Sequence, residues 1–310
     1  MITDIKGLHH VTSMATDAVE NNAFFTGTLG LRRVKKTVNF DAPEVYHLYY
    51  GDEVGTPGSV MTYFPFGRMP RGTRGAGEVG VTEFAVPEGS LSFWQDRLDQ
   101  SGVTGLGVES AFGERRLKFD GPDGDAFALV ESPPRGRAPW TGQGIPQDAG
   151  ILGFNGARFV LRDGAATAEL LRFMGYGKIG TDGDITRYAI ENGNAADRID
   201  LQVVGDAPSA GQGAGSVHHI AFAVEGRAAQ QSAREALLDT GYQVTPVIDR
   251  DYFWAIYFRA PGGILFEIAT NEPGFDRDED VAQLGETLKL PERYEPFRDK
   301  IEAILPPIQS

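Results

Sequence analysis

Cysteine is absent from the 310 residues, which excludes disulfides, thiolate metal ligands and cysteine nucleophiles. Positive charge is in short supply: Lys and Arg total 29 against 43 Asp and Glu, a formal net charge of −14. Such a surface repels phosphate backbones and anionic headgroups, so neither nucleic acid nor a membrane is expected as a partner. No apolar run approaches the ~20 residues of a membrane span. The opening MITDIKGLHHV lacks the apolar stretch of a signal peptide. These absences predict a cytoplasmic globular protein, long enough for two ordinary domains.

Histidine is scarce as well, with five in the chain, and its placement is informative. Four of the five stand in adjacent pairs, His9-His10 in GLHHVTSMA and His218-His219 in SVHHIAFAV, each opening an apolar strand-like run. A carboxylate, Glu267, interrupts a third apolar run, GGILFEIAT. Two imidazoles and one carboxylate are the donor set of a facial triad, which binds a divalent metal and leaves coordination positions free. The fifth histidine, His47 in VYHLYYGDE, has no pair and reads as a hydrogen-bonded residue of a sheet.

The chain also repeats itself. FDGPDGDAFALVESPP (119–134) echoes FRAPGGILFEIATNEP (258–273), matching Pro122 with Pro261 and Phe127 with Phe266. EVGVTEFAV (78–86) echoes SVHHIAFAV (216–224), and IKGLHHVTSMA (5–15) echoes ILGFNGARFVL (151–161). Two similar halves follow, 1–132 and 150–272, joined by a Pro- and Gly-rich linker at 133–149 and followed by a tail at 273–310. Each half divides into two units of one strand, a helix and further strands. In the last unit the expected strands after the helix are QVTPVI, YFWAIYFR and ILFEIA. The fold class is α+β, four such units on curved, mostly antiparallel sheets.

Aligned across the repeat, His219 corresponds to Val81, Glu267 to Ala128 and His10 to Gly156. One potential site keeps its ligands and the other is expected to have lost its polar residues. His10 belongs to the first unit and His219 and Glu267 to the fourth, so those two units must pack side by side. Alternation along a strand lets only one histidine of each pair face the pocket. A hairpin centred near Gly262 sets Tyr257 opposite Glu267 on the same face, placing a phenol beside the metal. The run Tyr252, Phe253, Trp254 and Tyr257 suits the packing of a flat ring or an ordinary core. The tail is read either as a lid over the pocket or as a staple.

The sequence resembles the vicinal oxygen chelate superfamily, which is built from paired βαβββ units around a metal. Within it, the chain resembles the hydroquinone ring-cleaving dioxygenases. The resemblance rests on GLHHVT (7–12), YHLYYGDEVGTPGSVMTYFPF (46–66), HHIAF (218–222), RDYFWAIYFRAPGGILFEIATNEPGF (250–275) and LGETLKLPERYEPFRDKIEAILPPI (284–308). It implies two tandem domains of four βαβββ units, and Fe(II), with Mn(II) as the alternative, held by His10, His219 and Glu267. It also implies catalytic roles for Tyr257, His218 and His9 and substrate contacts from Thr12 and Arg250. For His9 and His218 to take part, strand twist or a bulge must turn them inward. The third unit begins GFNGARF and has no histidine there. The implied reaction is O2-dependent cleavage of a small aromatic diol of the para-hydroquinone type. Extradiol cleavage of a catechol and glyoxalase-type isomerase or lyase chemistry are the alternatives. A metal-free binding module has no use for the three donors. Self-association into a homo-oligomer stays open.

Overall fold

In the computed structural model, which describes residues 1–308, the chain forms four βαβββ units. The first comprises β1 (Leu8–Ala15), α1 (Ala18–Asn22), β2 (Arg32–Asn39), β3 (Ala42–Gly51) and β4 (Val60–Pro65). Asp17 caps α1 by accepting from the amides of Val19 and Glu20, and a π-helical turn, Ala23–Thr28, continues the helix. The second has β5 (Glu78–Val86), α2 (Leu91–Gln100), β6 (Gly107–Ala111), β7 (Glu114–Asp120) and β8 (Ala126–Glu131). The third has β9 (Gly153–Leu161), α3 (Ala165–Phe173), β10 (Gly177–Asp182), β11 (Ile185–Ala189) and β12 (Arg198–Val203). The fourth has β13 (Val217–Val224), α4 (Arg227–Asp239), β14 (Ile248–Asp249), β15 (Phe253–Arg259) and β16 (Leu265–Pro273).

Of the expected strand QVTPVI only Ile248 joins a ladder, as the first of the two residues of β14. Pro246 has no amide to give to a ladder, and Thr245 instead bonds the backbone of Tyr257.

Two eight-stranded sheets result, ordered β14-β15-β16-β13-β1-β4-β3-β2 and β10-β11-β12-β9-β5-β8-β7-β6. The first and fourth units share one sheet, as the split ligand set requires, and the second and third share the other. Each sheet therefore draws one unit from either half of the sequence. Inside every unit the first strand pairs in parallel with the last (β1 with β4, β5 with β8, β9 with β12, β13 with β16), while the antiparallel pairs β1·β13 and β5·β9 seam the units together. The crossover helix makes the parallel pairing reachable and covers the outer face. Leu237 and Ala233 of α4, for example, are buried in the same apolar core as Phe222, Phe258 and Phe266.

The tail protects an edge. Lys289 donates its amide to Lys36 of β2 at 2.9 Å, Arg33 Nε reaches the carbonyl of Gly285 at 2.9 Å, and the buried Lys35 ammonium meets Asp278 at 2.6 Å. An otherwise open edge strand is thereby capped, and α5 (Arg298–Ile304) follows. No residue of the tail lines the cavity described below, so among the described residues it acts as a staple. No helix among the described residues is long and apolar enough to cross a membrane.

Candidate metal centre

The seam between β1 and β13 is irregular at two points. Leu8 pairs with Phe222 but His10 pairs with Ala221, which makes His9 an extra residue in β1. Thr12 pairs with His219 but Ser13 pairs with Val217, which makes His218 an extra residue in β13. A bulge re-aims the side chains on either side of it. Here two bulges bring both members of each histidine pair to the site, which strict alternation does not allow.

His10, His219 and Glu267 converge. His219 Nε2 lies 3.0 Å and His10 Nε2 3.4 Å from Glu267 Oε2, and the two Nε2 atoms are 3.3 Å apart. Donors bonded at roughly 2.1 Å to one first-row ion, at right angles, are spaced about 3 Å apart. Glu267 is fully buried, and neither of its oxygens receives a hydrogen bond of good geometry. Burial alone raises a carboxyl pKa, but positive charge at the His10 and His219 positions outweighs it, so a cation there, whether imidazolium or metal ion, holds Glu267 well below the usual range.

The tautomer follows from the partners. His9 Nε2 lies 3.1 Å from the carbonyl of Thr270, which can only accept, so this nitrogen carries the proton. Burial and then the His10 ring push the pKa of His9 down to about 3, so its ring is neutral and Nδ1 is bare. His10 Nδ1, 2.9 Å away, must donate to it, which leaves the lone pair of a neutral His10 on Nε2, facing Glu267. His218 stands beside His219 in the same way, its Nδ1 2.8 Å from Nδ1 of His219, and with His218 as the acceptor the lone pair of His219 also lies on Nε2. Lone pairs and an anion facing one another without a donor repel unless a cation lies among them. The residues present therefore fit a divalent metal, and among the described residues they are the one cluster that does.

Around this centre opens a cavity of about 410 Å³. Phe40, Phe64, Phe66, Phe253, Ile248 and Leu265 supply its apolar walls, and His47, Tyr49, His218, Arg250 and Tyr257 its polar ones. The β15–β16 hairpin, turning at Gly262 and Gly263 with φ of 91° and 98°, pairs Tyr257 with Glu267 as expected. Tyr257 Oη accepts from Arg250 Nε at 3.2 Å. Burial and then the charge of Glu267 raise its pKa well above that of an ordinary phenol, so it stays protonated. Arg250 also reaches Asp41 across the mouth at 3.2 Å.

His9 and Thr12 do not line the cavity. His9 lies behind His10, and Thr12 is fully buried with its hydroxyl 2.8 Å from Thr62. Of the aromatic run, Phe253 and Tyr257 face the cavity. Tyr252 packs over the Lys35 ammonium, and Trp254 lies under Arg227. His47 is hydrogen-bonded in the sheet, as its isolated position suggests, but it lines the cavity as well. Its spacing of two residues from Tyr49 is the signal that both share a face.

The equivalent positions of the second sheet require a correction. They lack metal ligands but have not lost their polar residues. Glu83, opposite Ala128, meets Arg116 at 2.7 Å and Asn155 at 2.9 Å. Arg187 holds Asp200 through two bonds of 2.8 and 2.9 Å and Glu114 at 2.6 Å, while Arg198 bonds the other oxygen of Glu114. Ion pairs fill this cup.

The βαβββ topology and the His-His-Glu centre define a class. Residues 7–268 match the model of the Glyoxalase/Bleomycin resistance protein/Dioxygenase superfamily, and the chain belongs to that superfamily. Its relatives narrow the comparison. It is 43% identical over 305 residues, 98% of this chain and 96% of the relative, to the Bacillus subtilis protein named "Putative ring-cleaving dioxygenase MhqO". It is 36% identical over 307 residues, 96% and 95% of the two chains, to the chlorohydroquinone/hydroquinone 1,2-dioxygenase of Sphingobium indicum. The crystal structure of a "putative dioxygenase" from Bacillus subtilis superposes with a TM-score of 0.95 at 42% identity, covering 99% of this chain and 98% of that one. Glyoxalase I of Zea mays shares the fold, with a TM-score of 0.65 at 12% identity over 92% and 98% of the chains.

Proposed function

We propose that this protein is a ring-cleaving dioxygenase of para-hydroquinones that uses Fe(II) held by His10, His219 and Glu267. The observation that carries the reading is the buried, donor-free Glu267 facing the Nε2 atoms of two histidines at the floor of an aromatic-walled cavity. The hydroquinone dioxygenase of Sphingobium indicum, similar over nearly the whole chain, supports the substrate class. Mn(II) accepts the same donors. When bound, the ion supplies Lewis acidity and a one-electron couple beside the ring, the chemistry that O2 activation requires.

The chain's own residues do the rest. Phe64 and Phe253 pack against the flat ring and keep bulk water from it. An apolar cavity of roughly 150 Å³ holds benzene, so about 410 Å³ leaves room for ring substituents. His9 fixes the ring of His10 through its own bond to Thr270. Tyr257, kept protonated and oriented by Arg250, offers its proton to an oxygen of the reacting ring. His218, whose Nδ1 is taken by His219, has a second nitrogen free to exchange a proton with substrate or product. Both atoms of O2 enter one product, with a carboxylic acid and an aldehyde at the cut ends.

The test is oxygen uptake by anaerobically Fe(II)-loaded protein offered hydroquinone, methylhydroquinone, chlorohydroquinones and catechol. Uptake with the para-diols and a new ring-opened absorbance are expected. Uptake with catechol alone moves the protein to the extradiol class, and silence with every diol despite bound iron overturns the reading.

A further inference from the structure

The polar groups used so far on the cavity wall, His218, Arg250 and Tyr257, all belong to the fourth unit. The first unit presents a second polar wall that this chemistry leaves idle. Across the sheet Thr12 pairs with His219 on one side and Thr62 on the other, and Thr62 pairs with Tyr49. Tyr49 thus stands three strands from the ligand His219, roughly 14 Å along the sheet at roughly 4.8 Å per strand. The side chains along this row form a continuous chain. Thr12 Oγ1 lies 2.8 Å from Thr62 Oγ1, Thr62 Oγ1 2.8 Å from His47 Nε2, and His47 Nδ1 2.8 Å from Tyr49 Oη.

All four residues are buried, but only His47 and Tyr49 line the cavity. The inner members are satisfied by one another. The outer end is not exhausted, because a hydroxyl has one donor and two acceptor positions and His47 uses one of these on Tyr49. The ring of Phe64, 4.3 Å from that of His47 and 5.9 Å from that of His218, lies between the two polar walls. In such apolar surroundings a spare hydrogen-bonding position is strongly selective for a ligand group that can meet it.

Resting on the hydroquinone reading above, we propose that Tyr49, backed by His47, is the subsite for the ring hydroxyl remote from the metal, and that it selects 1,4-diols over 1,2-diols. With one hydroxyl at the triad, a para-diol carries its second directly across the ring, whereas a catechol keeps both on the same edge. The hydrogen bonds run consistently outward from the substrate: its O–H donates to Tyr49 Oη, Tyr49 to His47 Nδ1, His47 Nε2–H to Thr62 and Thr62 to Thr12. Every protein member accepts one hydrogen bond, and each but the last passes one on.

The experiment compares anaerobic binding of hydroquinone, phenol and catechol to the metal-loaded wild type and to Tyr49→Phe and His47→Gln, with turnover measured in parallel. Wild type is expected to bind hydroquinone more tightly than phenol. In Tyr49→Phe that advantage shrinks about tenfold while phenol affinity, catechol affinity and metal content stay unchanged. His47→Gln, which keeps a side-chain amide near Thr62, shrinks it less. An undiminished hydroquinone-to-phenol ratio in folded, metal-replete Tyr49→Phe overturns this subsite alone when wild type turns over para-diols. Failure of the wild type itself to turn over any para-diol overturns the parent reading and the subsite with it.

Discussion

The two cups agree in backbone and differ in chemistry. Each is seamed by an antiparallel pair of first strands, and each seam bulges one residue before the ligand positions, at His9 and His218 in one sheet and at Asn155 and Gly80 in the other. In the first cup the inward positions hold three lone-pair donors beneath an open cavity. In the second, Arg116, Arg158, Arg187 and Arg198 face Glu83, Glu109, Glu114 and Asp200 in a charge-balanced network. The carboxylate has changed strands: Glu267 on β16 stands opposite Ala221, whereas Glu83 on β5 stands opposite Ala128. A duplicated scaffold thus fixes where side chains point. Whether the cup becomes a site depends on whether the donors are neutralised from within.

The rims differ in the same sense. At the β6–β7 turn Phe112 lies over the guanidinium of Arg187 at 4.1 Å, and its amide donates to Asp182, closing the second cup. The corresponding β2–β3 turn carries Phe40, whose carbonyl is held from outside by Arg293 and Tyr294 of the tail at 2.7 and 2.8 Å. The backbone also limits the second cup. A Cβ on Gly156, the counterpart of His10, would stand 2.3 Å from the carbonyl oxygen of Arg198, so no histidine fits there without moving β12.

The strongest way to break this contrast is Glu267→Ala. Loss of the one anionic donor is expected to lower hydroquinone-dependent oxygen uptake by at least about 10³-fold, a loss of about 4 kcal/mol of transition-state stabilisation; near-normal uptake would show that the first cup is not the reaction site. Glu83→Ala addresses the other cup. It leaves the buried Arg116 with only its longer 3.4 Å contact to Glu114 and strips Asn155 Nδ2 of its acceptor. Breaking a buried pair typically costs about 3–5 kcal/mol, so chemical denaturation should show a clear loss of stability while the metal content of the folded protein is untouched. Iron loss in this variant would mean that the cups are not independent. His9→Phe sharpens the point at the bulge. It removes the acceptor for His10 Nδ1–H and should weaken metal affinity by about 10–100-fold, read by titration with a competing chelator; unchanged affinity would reduce His9 to a packing residue.

Much of the first cup was legible in the sequence because its signals are local. Paired histidines opening two strands, a glutamate alone in an apolar run and a turn of two glycines single out His10, His219, Glu267 and Tyr257 from the sequence alone. The repeat then required the first and fourth units to share a sheet. The bulges were legible only as one condition, beside strand twist, for His9 and His218 to take part; where they fall was not, because a one-residue irregularity is decided by how two distant strands meet. The ion-pair network was equally hidden: Glu83, Arg116, Arg187 and Asp200 lie on four strands and come together only in the folded sheet. The place of His47 on the cavity wall stayed obscure because Thr62 reaches it only through the pairing of β3 with β4, although its spacing from Tyr49 marks a shared face. The short β14 could have been anticipated from Pro246.

Metal stoichiometry tests the central claim most directly. Wild type and Glu267→Ala would be loaded anaerobically with Fe(II), freed of excess by gel filtration and assayed for iron and protein. One ion per chain in the wild type and none retained in the variant is the predicted result. Two ions per chain, or one that survives the loss of Glu267, would contradict a single metal centre built from His10, His219 and Glu267.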